Sequence, residues 1–435
     1  MMVKNMVKDM VKKHKVVVIG GGFGGLTLVK KLAYEPVEIL LIDRSNHHLF
    51  QPLLYQVATG GLSPANIAMP LRTLVSSQLN CRSILGEVSG VDVIGKEVML
   101  TDGEHFEFDT LVVAAGAVTS YFNHPEWADN SVGLKSLDDA MKIRGRILRS
   151  FERAERSADV QEQASLLTFV VVGGGPTGVE MAGAIAELAH HSMRNEFRNI
   201  KPESARVILV EGQSRPLTMF REDLSARACK DLERLGVELR MGAQVKAVSA
   251  DEVELSTGEK LSTHTVIWAA GVSGNPLGAA IAHATGVALE RGQRIPVGAD
   301  CSVSGHPNIF VIGDLAAFTP QGETQTLPGV APVATQQAQY VGKLIHNRLN
   351  GNPAPPPFSY FDKGSMATIG RGRAIAQVKG FGMTGFLAWM AWLFIHVLLL
   401  VGFQNRLLVL TQWAVNFVTQ NRGARVMGRH DSWKS

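Results

Sequence analysis

Two glycine-rich turns have the residue types and the spacing that dinucleotide-binding sites require. Each turn directly follows an apolar run, as in VVVIGGGFGG and FVVVGGGPTG, and each precedes a segment of helical character. The glycines are Gly20, Gly22 and Gly25 in the first turn and Gly173, Gly175 and Gly178 in the second. In such a turn the first glycine bends the chain, the second lets a pyrophosphate approach the backbone, and the third lets the helix pack closely on the strand. The helix N-terminus then faces the phosphates, so we expect two dinucleotide sites in one chain.

An acid follows each turn at the end of the next apolar run. Asp43 lies 23 residues after Gly20, and Glu211 lies 38 residues after Gly173, a spacing that requires a long helix and an extra loop. A carboxylate at this place accepts hydrogen bonds from a ribose and repels a 2′-phosphate, so Glu211 favours NADH over NADPH. Arg215 is four residues beyond Glu211 and leaves that preference open. Either acid could instead be a solvated turn residue.

Strands that alternate with helices must position these residues. A pattern of strand, glycine turn, helix and strand begins at His14 and restarts at Leu166, and a last apolar strand, NIFVIGD, precedes a helix over 332–349. This alternation predicts an α/β fold with two Rossmann-like domains, each a doubly wound parallel sheet. Two dinucleotide folds in one chain favour a relay in which one holds a flavin and the other binds a nicotinamide. The predicted regions are a basic extension (1–13), a discontinuous FAD-binding domain (14–125 and 295–350), an NADH-binding domain (160–290) and a C-terminal membrane-anchoring region (355–435).

Length, charge and cysteine content narrow the class of protein. The chain has 435 residues, of which 46% are hydrophobic, and it exceeds the length at which a single core stops growing. The net charge of +4 is uneven, because residues 1–15 and 404–435 each carry +4 and the residues between them carry −4. Basic ends suit an anionic lipid surface better than a nucleic acid. The three cysteines form no C-x-x-C pair, which argues against a disulfide framework and a cysteine-ligated metal. The N-terminus lacks a signal-like apolar run, so a cytosolic catalytic body is expected.

The C-terminal region contains a long apolar run. Phe386–Phe403 spans 18 residues, with His396 the only polar residue, and as a helix it reaches about 27 Å against about 30 Å for a hydrocarbon core. The next segment is amphipathic, with Asn405, Gln412, Asn416 and Gln420 on one face and Leu407, Leu410, Ala414 and Phe417 on the other. Three tryptophans suit the membrane–water interface, namely Trp389, Trp392 and Trp413. The pattern predicts a hairpin that lies in one leaflet, and the alternatives are a spanning helix and a buried dimer contact.

These motifs together resemble those of a known family. The chain is similar to the two-dinucleotide-domain flavoproteins and, within them, to the type II NADH dehydrogenases, which are single-subunit NADH:quinone oxidoreductases that do not pump protons. The likeness runs through nearly the whole chain and is most specific in HHLFQPLLYQVATG, in the helix with adjacent glutamines and in the tail. The other matching motifs are GGGFGG, LVVAAGAVTSYF, GGGPTGVEMAG, WAAGV, IGDLA, APVATQQ and KGSMATIGRGRA. The resemblance implies an enzyme on the cytoplasmic face of the cell inner membrane, held there by its C-terminal helices, with a homodimer as a further expectation.

The resemblance also implies a set of site residues for a non-covalent FAD and for NADH. The expected cofactor-binding residues are Gly20, Gly22, Gly25, Asp43, Ala115, Gly116, Asp314, Gln336, Gly173, Gly175, Gly178, Glu180, Glu211 and Gly271. The expected catalytic residues are Glu180, beside the nicotinamide, and Gln336, at a quinone carbonyl or the flavin edge. His47 and His48 are expected to fix a loop near the flavin. Simpler alternatives are a carboxylate that complements the helix dipole for Glu180, a structural amide for Gln336 and an N-cap for Asp314.

Two features depart from the family pattern. Relatives often carry a glutamine where this chain has Pro332, so only Gln336 of that pair carries over. Pro332 suits the first helical position, from which the positive end of the helix dipole would face the flavin. The lack of paired cysteines separates the chain from disulfide reductases and sulfide:quinone enzymes. Two other functions are compatible with the same fold: a soluble reductase of a small iron–sulfur protein, and a non-enzymatic flavoprotein that senses NADH. The apolar tail argues against the soluble reductase.

Overall fold

The computed structural model describes residues 13–419 and 422–427. The predicted basic extension therefore lies outside the described residues, except for Lys13, and so does Gln420. In chain order the strands are β1 (His14–Ile19), β2 (Val37–Asp43), β3 (His47–Leu49), β4 (Ala68–Pro70), β5 (Cys81–Leu85), β6 (Val88–Asp92), β7 (Glu97–Leu100), β8 (His105–Glu107), β9 (Thr110–Val113), β10 (Ala117–Thr119), β11 (Ser131–Gly133), β12 (Thr168–Val172), β13 (Arg206–Glu211), β14 (Val237–Met241), β15 (Val245–Val248), β16 (Glu252–Leu255), β17 (Lys260–Ser262), β18 (Thr265–Trp268), β19 (Val272–Gly274), β20 (Ile295–Pro296), β21 (Ser302–Val303), β22 (His306–Val311), β23 (Ala316–Ala317), β24 (Ser365–Gly370), β25 (Arg373–Val378) and β26 (Phe381–Thr384). The helices are α1 (Phe23–Lys31), α2 (Leu54–Ala58), α3 (Pro64–Ile67), α4 (Leu71–Val75), α5 (Trp127–Asn130), α6 (Leu137–Arg156), α7 (Val160–Leu166), α8 (Pro176–Glu187), α9 (Glu222–Arg234), α10 (Leu277–Thr285), α11 (Ala331–Leu349), α12 (Gly385–Leu399) and α13 (Phe403–Thr419).

The chain divides into two units. Unit 1 comprises the described residues up to His48, Pro70–Val118 and Ser273–Asp362, and unit 2 comprises Leu49–Met69, Thr119–Val272 and the described residues from Lys363. Residues 49–69 and the C-terminal region thus group with unit 2, whereas the predicted regions placed the former with the FAD-binding domain and the latter by itself. The physical reason is packing, because α2 contacts α6 and α8, and β24 contacts α8.

Unit 1 is built on a six-stranded sheet with the order β21-β22-β9-β1-β2-β5. The five strands from β22 to β5 are parallel, and only the short edge strand β21 is antiparallel. Successive residues of β1 point to opposite faces, so Val16 and Val18 enter one apolar cluster while Val17 and Ile19 enter another. Helices α1 and α11 cover the first of these faces. Burial of both faces is typical of a doubly wound parallel sheet.

Unit 2 is built on a second parallel sheet, with the order β11-β18-β12-β13-β14. Its central strand β12 reads TFVVV and is buried along its whole length, as expected for a strand covered on both faces. The prediction of an α/β fold with two Rossmann-like sheets is confirmed. The spacing from Gly173 to Glu211 predicts a long helix and an extra loop, and the structure has both: α8 ends at Glu187, a π turn continues it over Leu188–Ser192, and a loop leads to β13.

The two C-terminal helices belong to unit 2. The apolar run Phe386–Phe403 is not one helix, because α12 ends at Leu399 and the chain turns before α13. Gly402 in this turn has a φ of +90°, a conformation that glycine adopts without strain. Among the described residues, none of the helices has the length together with the apolar composition that crossing a bilayer demands.

Helix α13 turns its apolar side outward. Leu407 is 57% exposed and Val418 is 80% exposed, whereas Asn416 is half-buried and donates to the carbonyl of Gly61 at 3.1 Å. The expected interfacial position of Trp392 and Trp413 is wrong, because both rings are buried within unit 2. They pack on each other with ring centroids 5.5 Å apart. Aliphatic side chains thus make up most of the outward side of α13, whereas Trp392 and Trp413 face inward.

Candidate functional site

The first glycine turn connects β1 to α1. Gly20 has a φ of +100°, which residues with a side chain rarely adopt. A Cβ on Gly25 would lie 1.8 Å from the carbonyl oxygen of Gly20, so only glycine lets α1 approach the turn. Gly22, the N-cap of α1, has an extended backbone and no neighbouring atom within 4 Å of a Cβ position. The turn thus leaves room in front of a helix N-terminus, where an anion would meet free N–H groups.

Asp43 closes β2 beside this turn. One carboxylate oxygen accepts the N–H of Gly21 at 2.5 Å, and the other accepts the N–H and the hydroxyl of Ser45, both at 2.7 Å. These bonds fix a half-buried carboxylate at the carboxyl edge of the sheet. The structure therefore brings Asp43 together with the three predicted glycines.

Three more predicted residues leave the sheet at the same edge. Strands β9 and β22 run parallel to β1, and the segments after them carry Ala115, Gly116 and Asp314. Since β1 has β2 on one side and β9 on the other, its carboxyl end is the switch point at which doubly wound sheets bind ligands. Gly116 has a φ of +69° and free space at a Cβ position. The N-cap of α11 is Val330, so the alternative role of Asp314 as that N-cap is wrong.

The adjacent glutamines of α11 have different partners. Gln336 is bonded to the main chain of Phe361 at both ends, since its Nε2 donates to the carbonyl at 2.9 Å and its Oε1 accepts the N–H at 3.0 Å. Gln337 is fully buried, and its Oε1 accepts the N–H of Gly313 at 2.8 Å. The Nε2 of Gln337 is buried and has no partner among the described residues. Gln337 is not among the predicted site residues, and its signal in the sequence is an amide on the buried stripe of an otherwise apolar helix face.

His48 is a second buried polar residue beside the first turn. Its side chain packs edge-on against the ring of Phe23, and its Nδ1 lies 2.9 Å from the carbonyl oxygen of Gly21. Burial lowers the pKa of His48, so the ring is neutral near pH 7 and donates from Nδ1. Its Nε2 is then an acceptor, and within the described part of the chain it has no partner. Buried polar atoms of this kind call for a bonding group.

The second glycine turn repeats the geometry of the first in unit 2. Gly173 has a φ of +108°, and a Cβ on Gly178 would lie 1.7 Å from its carbonyl oxygen. Gly175, the N-cap of α8, has an extended backbone and nothing within 4 Å of a Cβ position. Glu211 accepts the N–H of Gly174 at 2.5 Å and the N–H of Gln213 at 2.7 Å. The turn and the acid thus lie together, as the sequence predicts.

A cleft of about 170 Å³ lies at this second turn. Glu211, Arg215 and the loop around Leu217 line it. The guanidinium of Arg215 donates to three main-chain carbonyls of that loop, those of Leu217, Thr218 and Phe220. Arg215 therefore holds the loop in place, and the cleft is lined by one carboxylate, Glu211, and one guanidinium, Arg215. Gly271 follows β18, which is the neighbour of β12 on the other side.

A separate cavity of about 280 Å³ lies within unit 2 among α2, α8, β24, α12 and α13. Its aromatic lining consists of Tyr55, Trp389, Trp392, Trp413 and Phe417. The indole N–H of Trp413 donates to Oε1 of Gln56 at 2.7 Å, and Nε2 of Gln56 donates to the hydroxyl of Tyr55 at 3.0 Å. The motif HHLFQPLLYQVATG thus supplies a wall of this cavity. Tyr55 is not among the predicted site residues, because the other aromatic residues of the cavity come from the distant C-terminal helices.

Glu180 faces this cavity. Within the described residues its carboxyl accepts a single long hydrogen bond, 3.4 Å, from the N–H of Thr368, and burial raises the pKa of Glu180 to about 8. The same burial, with the charge of Glu180, raises the pKa of Tyr55 well above its usual value. The cavity shares no lining residue with the cleft beside Glu211. Glu180 thus lines the cavity and not the cleft at the glycine turn, and its place beside the nicotinamide stays a prediction.

Helix α8 joins the cleft and the cavity. Its N-terminus is the second glycine turn, and its later residues Glu180, Ala184 and Glu187 line the cavity. Gly183 presses against β24, because a Cβ there would lie 1.8 Å from the carbonyl oxygen of Ile369. The helix and this strand are thus in backbone contact.

Metal-ligand chemistry finds no support in the part of the chain that the structure describes, since no three His, Cys, Asp or Glu side chains there could hold an ion together. The cysteines Cys81, Cys229 and Cys301 are all free thiols.

Two parallel sheets, each with a glycine turn at its switch point, define a protein with two dinucleotide sites, and comparisons with known proteins agree. Residues 14–338 match the pyridine nucleotide-disulphide oxidoreductase family, and residues 363–420 match the NDH2 C-terminal domain. A type II NADH:quinone oxidoreductase of Mycobacterium tuberculosis, Ndh, is 45% identical over 421 residues, which cover 95% of this chain and 90% of the relative. The chain therefore belongs to the pyridine nucleotide-disulphide oxidoreductase family and, within it, to the type II NADH:quinone oxidoreductases.

More distant proteins share the same architecture. The internal alternative NAD(P)H-ubiquinone oxidoreductase A1 of Arabidopsis thaliana mitochondria is 28% identical, over 94% of this chain and 84% of the relative. The solved structure of NDH2 from Plasmodium falciparum in complex with NADH has a TM-score of 0.85 at 20% identity and covers 93% of this chain and 98% of its own. At that identity the likeness concerns the fold. The resemblance read from the motifs is confirmed.

Proposed function

We propose that this chain oxidises NADH and reduces a membrane quinone by way of a non-covalently bound FAD. The observation that carries the proposal is the presence of three chemically different sites. They are a glycine turn in unit 1, a glycine turn with an acid in unit 2, and an aromatic cavity with a buried carboxyl in unit 2. The first two suit dinucleotides, and the third suits a flat apolar ring that takes up protons.

The residues of unit 1 fit FAD. Gly22 and Gly116 leave room at the switch point for a pyrophosphate, and the oxygens of Asp43 retain lone pairs for a ribose. His48 offers an acceptor and Gln337 offers a donor, and both atoms are buried and without a partner among the described residues. FAD, when bound, takes reducing equivalents from NADH and passes them to the quinone. We assign the cofactor contact within α11 to Gln337, while Gln336 holds the main chain at Phe361.

The residues of unit 2 fit NADH. The free N–H groups at the start of α8 would meet its pyrophosphate, and Glu211 would accept from the ribose hydroxyls. Arg215 is occupied by the loop that it supports. Its Nη1 and Nη2 would have to leave these carbonyls to bind a 2′-phosphate, which would also meet the Glu211 carboxylate.

We assign the quinone ring to the aromatic cavity. Conversion of a quinone to a quinol adds two electrons and two protons, of which NADH supplies a hydride and the protein must deliver the remaining proton. Because its pKa is about 8, Glu180 carries a proton at neutral pH inside the cavity. It can give that proton to a quinone oxygen and recover one from water.

A lipid surface is the partner that we propose for the C-terminal helices. Seven of their apolar side chains are more than half exposed: Phe386, Leu387, Phe394, Leu398, Leu399, Leu407 and Val418. Exposed apolar surface of this kind marks a binding face, and helices that lie in a leaflet bury such a face among the acyl chains. The same helices line the cavity. An enzyme that takes NADH from the cytoplasm would lie on the cytoplasmic face of the inner membrane.

The proposal is tested with the purified full-length protein and anionic vesicles that contain a quinone. We expect a yellow protein that floats with the vesicles, is bleached by NADH without oxygen, and recovers its colour only when the vesicles carry quinone. A preparation that stays colourless after incubation with FAD overturns the proposal. Recovery only on addition of a soluble iron–sulfur protein would favour the soluble reductase, and recovery of colour without flotation would contradict the membrane assignment.

Glu211→Gln is expected to narrow the preference for NADH over NADPH. The glutamine keeps one acceptor oxygen, enough for the N–H of Gly174 or of Gln213 but not for both, and it removes the charge that repels a 2′-phosphate. We expect the ratio of kcat/KM for the two nucleotides to fall about tenfold, mainly through a better kcat/KM for NADPH. Glu254→Gln is the control, because this acid is paired with Lys246 at the surface of the same unit. Equal ratios in Glu211→Gln and the wild type would remove Glu211 from the nucleotide site.

A further inference from the structure

Residues 422–427 form a segment, here called the C-terminal strap, that closes on the end of α2. The N–H of Ala424 donates to the carbonyl of Gly60 at 3.2 Å, and the carbonyl of Ala424 accepts from the buried guanidinium of Arg144 at 2.9 Å. Gly60 has a φ of +69°, and a Cβ there would lie 2.9 Å from Cγ of Arg425. The chain at Gly60 is therefore shaped to receive the strap.

The strap sends one side chain into the wall of the aromatic cavity. Nη1 of Arg422 donates to the carbonyl of Thr59, the C-cap of α2, at 3.2 Å, and Nη2 donates to Glu187 on α8 at 3.0 Å. The side chains of Arg422 and Glu187 are only 13% and 18% exposed. Because α2 and α8 each provide part of the cavity wall, the guanidinium bridges two walls of the same site.

Glu187 also bonds to the main chain after β24, which forms a third part of the cavity wall. It accepts the N–H of Arg371, which follows β24, at 2.5 Å. A carboxylate with little exposure needs a charged partner, and Arg422 provides it through geometry that a guanidinium satisfies better than an ammonium. The remaining wall comes from the aromatic residues of α12 and α13, the helices whose outer sides are apolar and exposed.

We propose that Arg422 is a specificity-determining residue for the electron acceptor. It holds the C-terminal strap over one end of the cavity, so an acceptor enters between the aromatic residues of the C-terminal helices and water-soluble acceptors are excluded at the strap. This inference rests on the proposed function, since it takes the cavity as the quinone site. It adds the element that selects a lipid-soluble quinone over a polar one.

The test is Arg422→Gln in the full-length holoenzyme, assayed with a quinone that has a ten-carbon tail and with a sulfonated, water-soluble naphthoquinone. We expect the KM for the tailed quinone to rise about tenfold and kcat/KM for the sulfonated quinone to increase several-fold, so that the preference between them changes. The KM for NADH and the rate of flavin bleaching by NADH should stay within about twofold of the wild type. Arg422→Lys, which keeps the charge but cannot bridge both partners, should lie in between.

Two further variants separate this role from general stability. Arg206→Gln breaks an arginine–glutamate pair of unit 2 outside the cavity and should leave the preference between the two quinones unchanged. The double variant Glu187→Gln/Arg422→Gln leaves no buried charge unpaired, and it should fold and show the same altered preference as Arg422→Gln. Equal losses with both quinones, or an unchanged ratio, would overturn the role of Arg422. A wild-type protein that reduces neither quinone would instead overturn the proposed function and this inference together.

Discussion

Gly22→Val is expected to yield a folded protein that purifies without flavin. The extended backbone of Gly22 tolerates a side chain, and no protein atom lies within 4 Å of the Cβ position, so the substitution should leave the fold of unit 1 intact. The new methyl groups would occupy the space through which a pyrophosphate reaches the start of α1. Flavin content per protein, measured by absorbance, should fall to near zero and NADH oxidation with it.

Gly175→Val is the matched variant in unit 2. Its backbone is also extended and its Cβ position is also free, so we expect a yellow protein with normal flavin content that NADH does not bleach at concentrations saturating for the wild type. Each variant is the control for the other, since one should lose flavin and the other should lose only the reaction with NADH. A yellow Gly22→Val protein would contradict the assignment of FAD to unit 1, and bleaching of Gly175→Val at the wild-type rate would contradict that of NADH to unit 2.

Glu180→Gln is expected to slow quinone reduction at least about tenfold, because the cavity loses its proton donor. Reduction of the flavin by NADH should change little, so stopped-flow spectroscopy of the two half-reactions separates the effects. In the wild type, quinone reduction should fall as pH rises above about 8, where Glu180 loses its proton. The variant should lack this descending limb. A limb of the same shape in both proteins would show that another group delivers the proton.

The raised pKa of Glu180 also predicts how the free energy of unfolding depends on pH. The pKa of Glu180 lies near 8 in the folded protein against a usual 4.5, so between these values the folded state binds more protons than the unfolded state does. The free energy of unfolding should therefore decrease as pH rises from about 4.5 to 8, by a few kcal/mol in all, and then level off with respect to this group. Glu180→Gln should remove this contribution and be the more stable protein at pH 8 in chemical denaturation.

Much of the two nucleotide sites follows from local sequence, whereas the cavity does not. The glycine turns and the acids Asp43 and Glu211 are set by strand, turn and helix within one βαβ unit, so their spacing alone predicts that they meet. The buried, unpartnered atoms of Gln337 and His48 could not be predicted, because burial depends on the fold. In the sequence these residues are only polar side chains in apolar surroundings.

The cavity depends on contacts between distant parts of the chain. Gln56 meets Trp413, and Thr59 meets Arg422, across more than 350 residues. No periodic pattern in the sequence encodes such pairs. Contacts of this kind place residues 49–69 in unit 2, whereas the sequence pattern predicts them in the FAD-binding domain. The buried tryptophans of the tail illustrate the same limit, because an apolar segment beside a protein and one in a lipid leaflet have similar compositions.

The close approach of Gly183 to the carbonyl of Ile369 leaves no space for α8 to shift toward β24 unless the strand shifts with it. A nucleotide whose binding shifts the first turn of α8 would therefore also shift Glu180 and β24, which line the aromatic cavity. Binding at one site would then change the other through α8. A molecule bound against this helix would inhibit both half-reactions while resembling neither substrate.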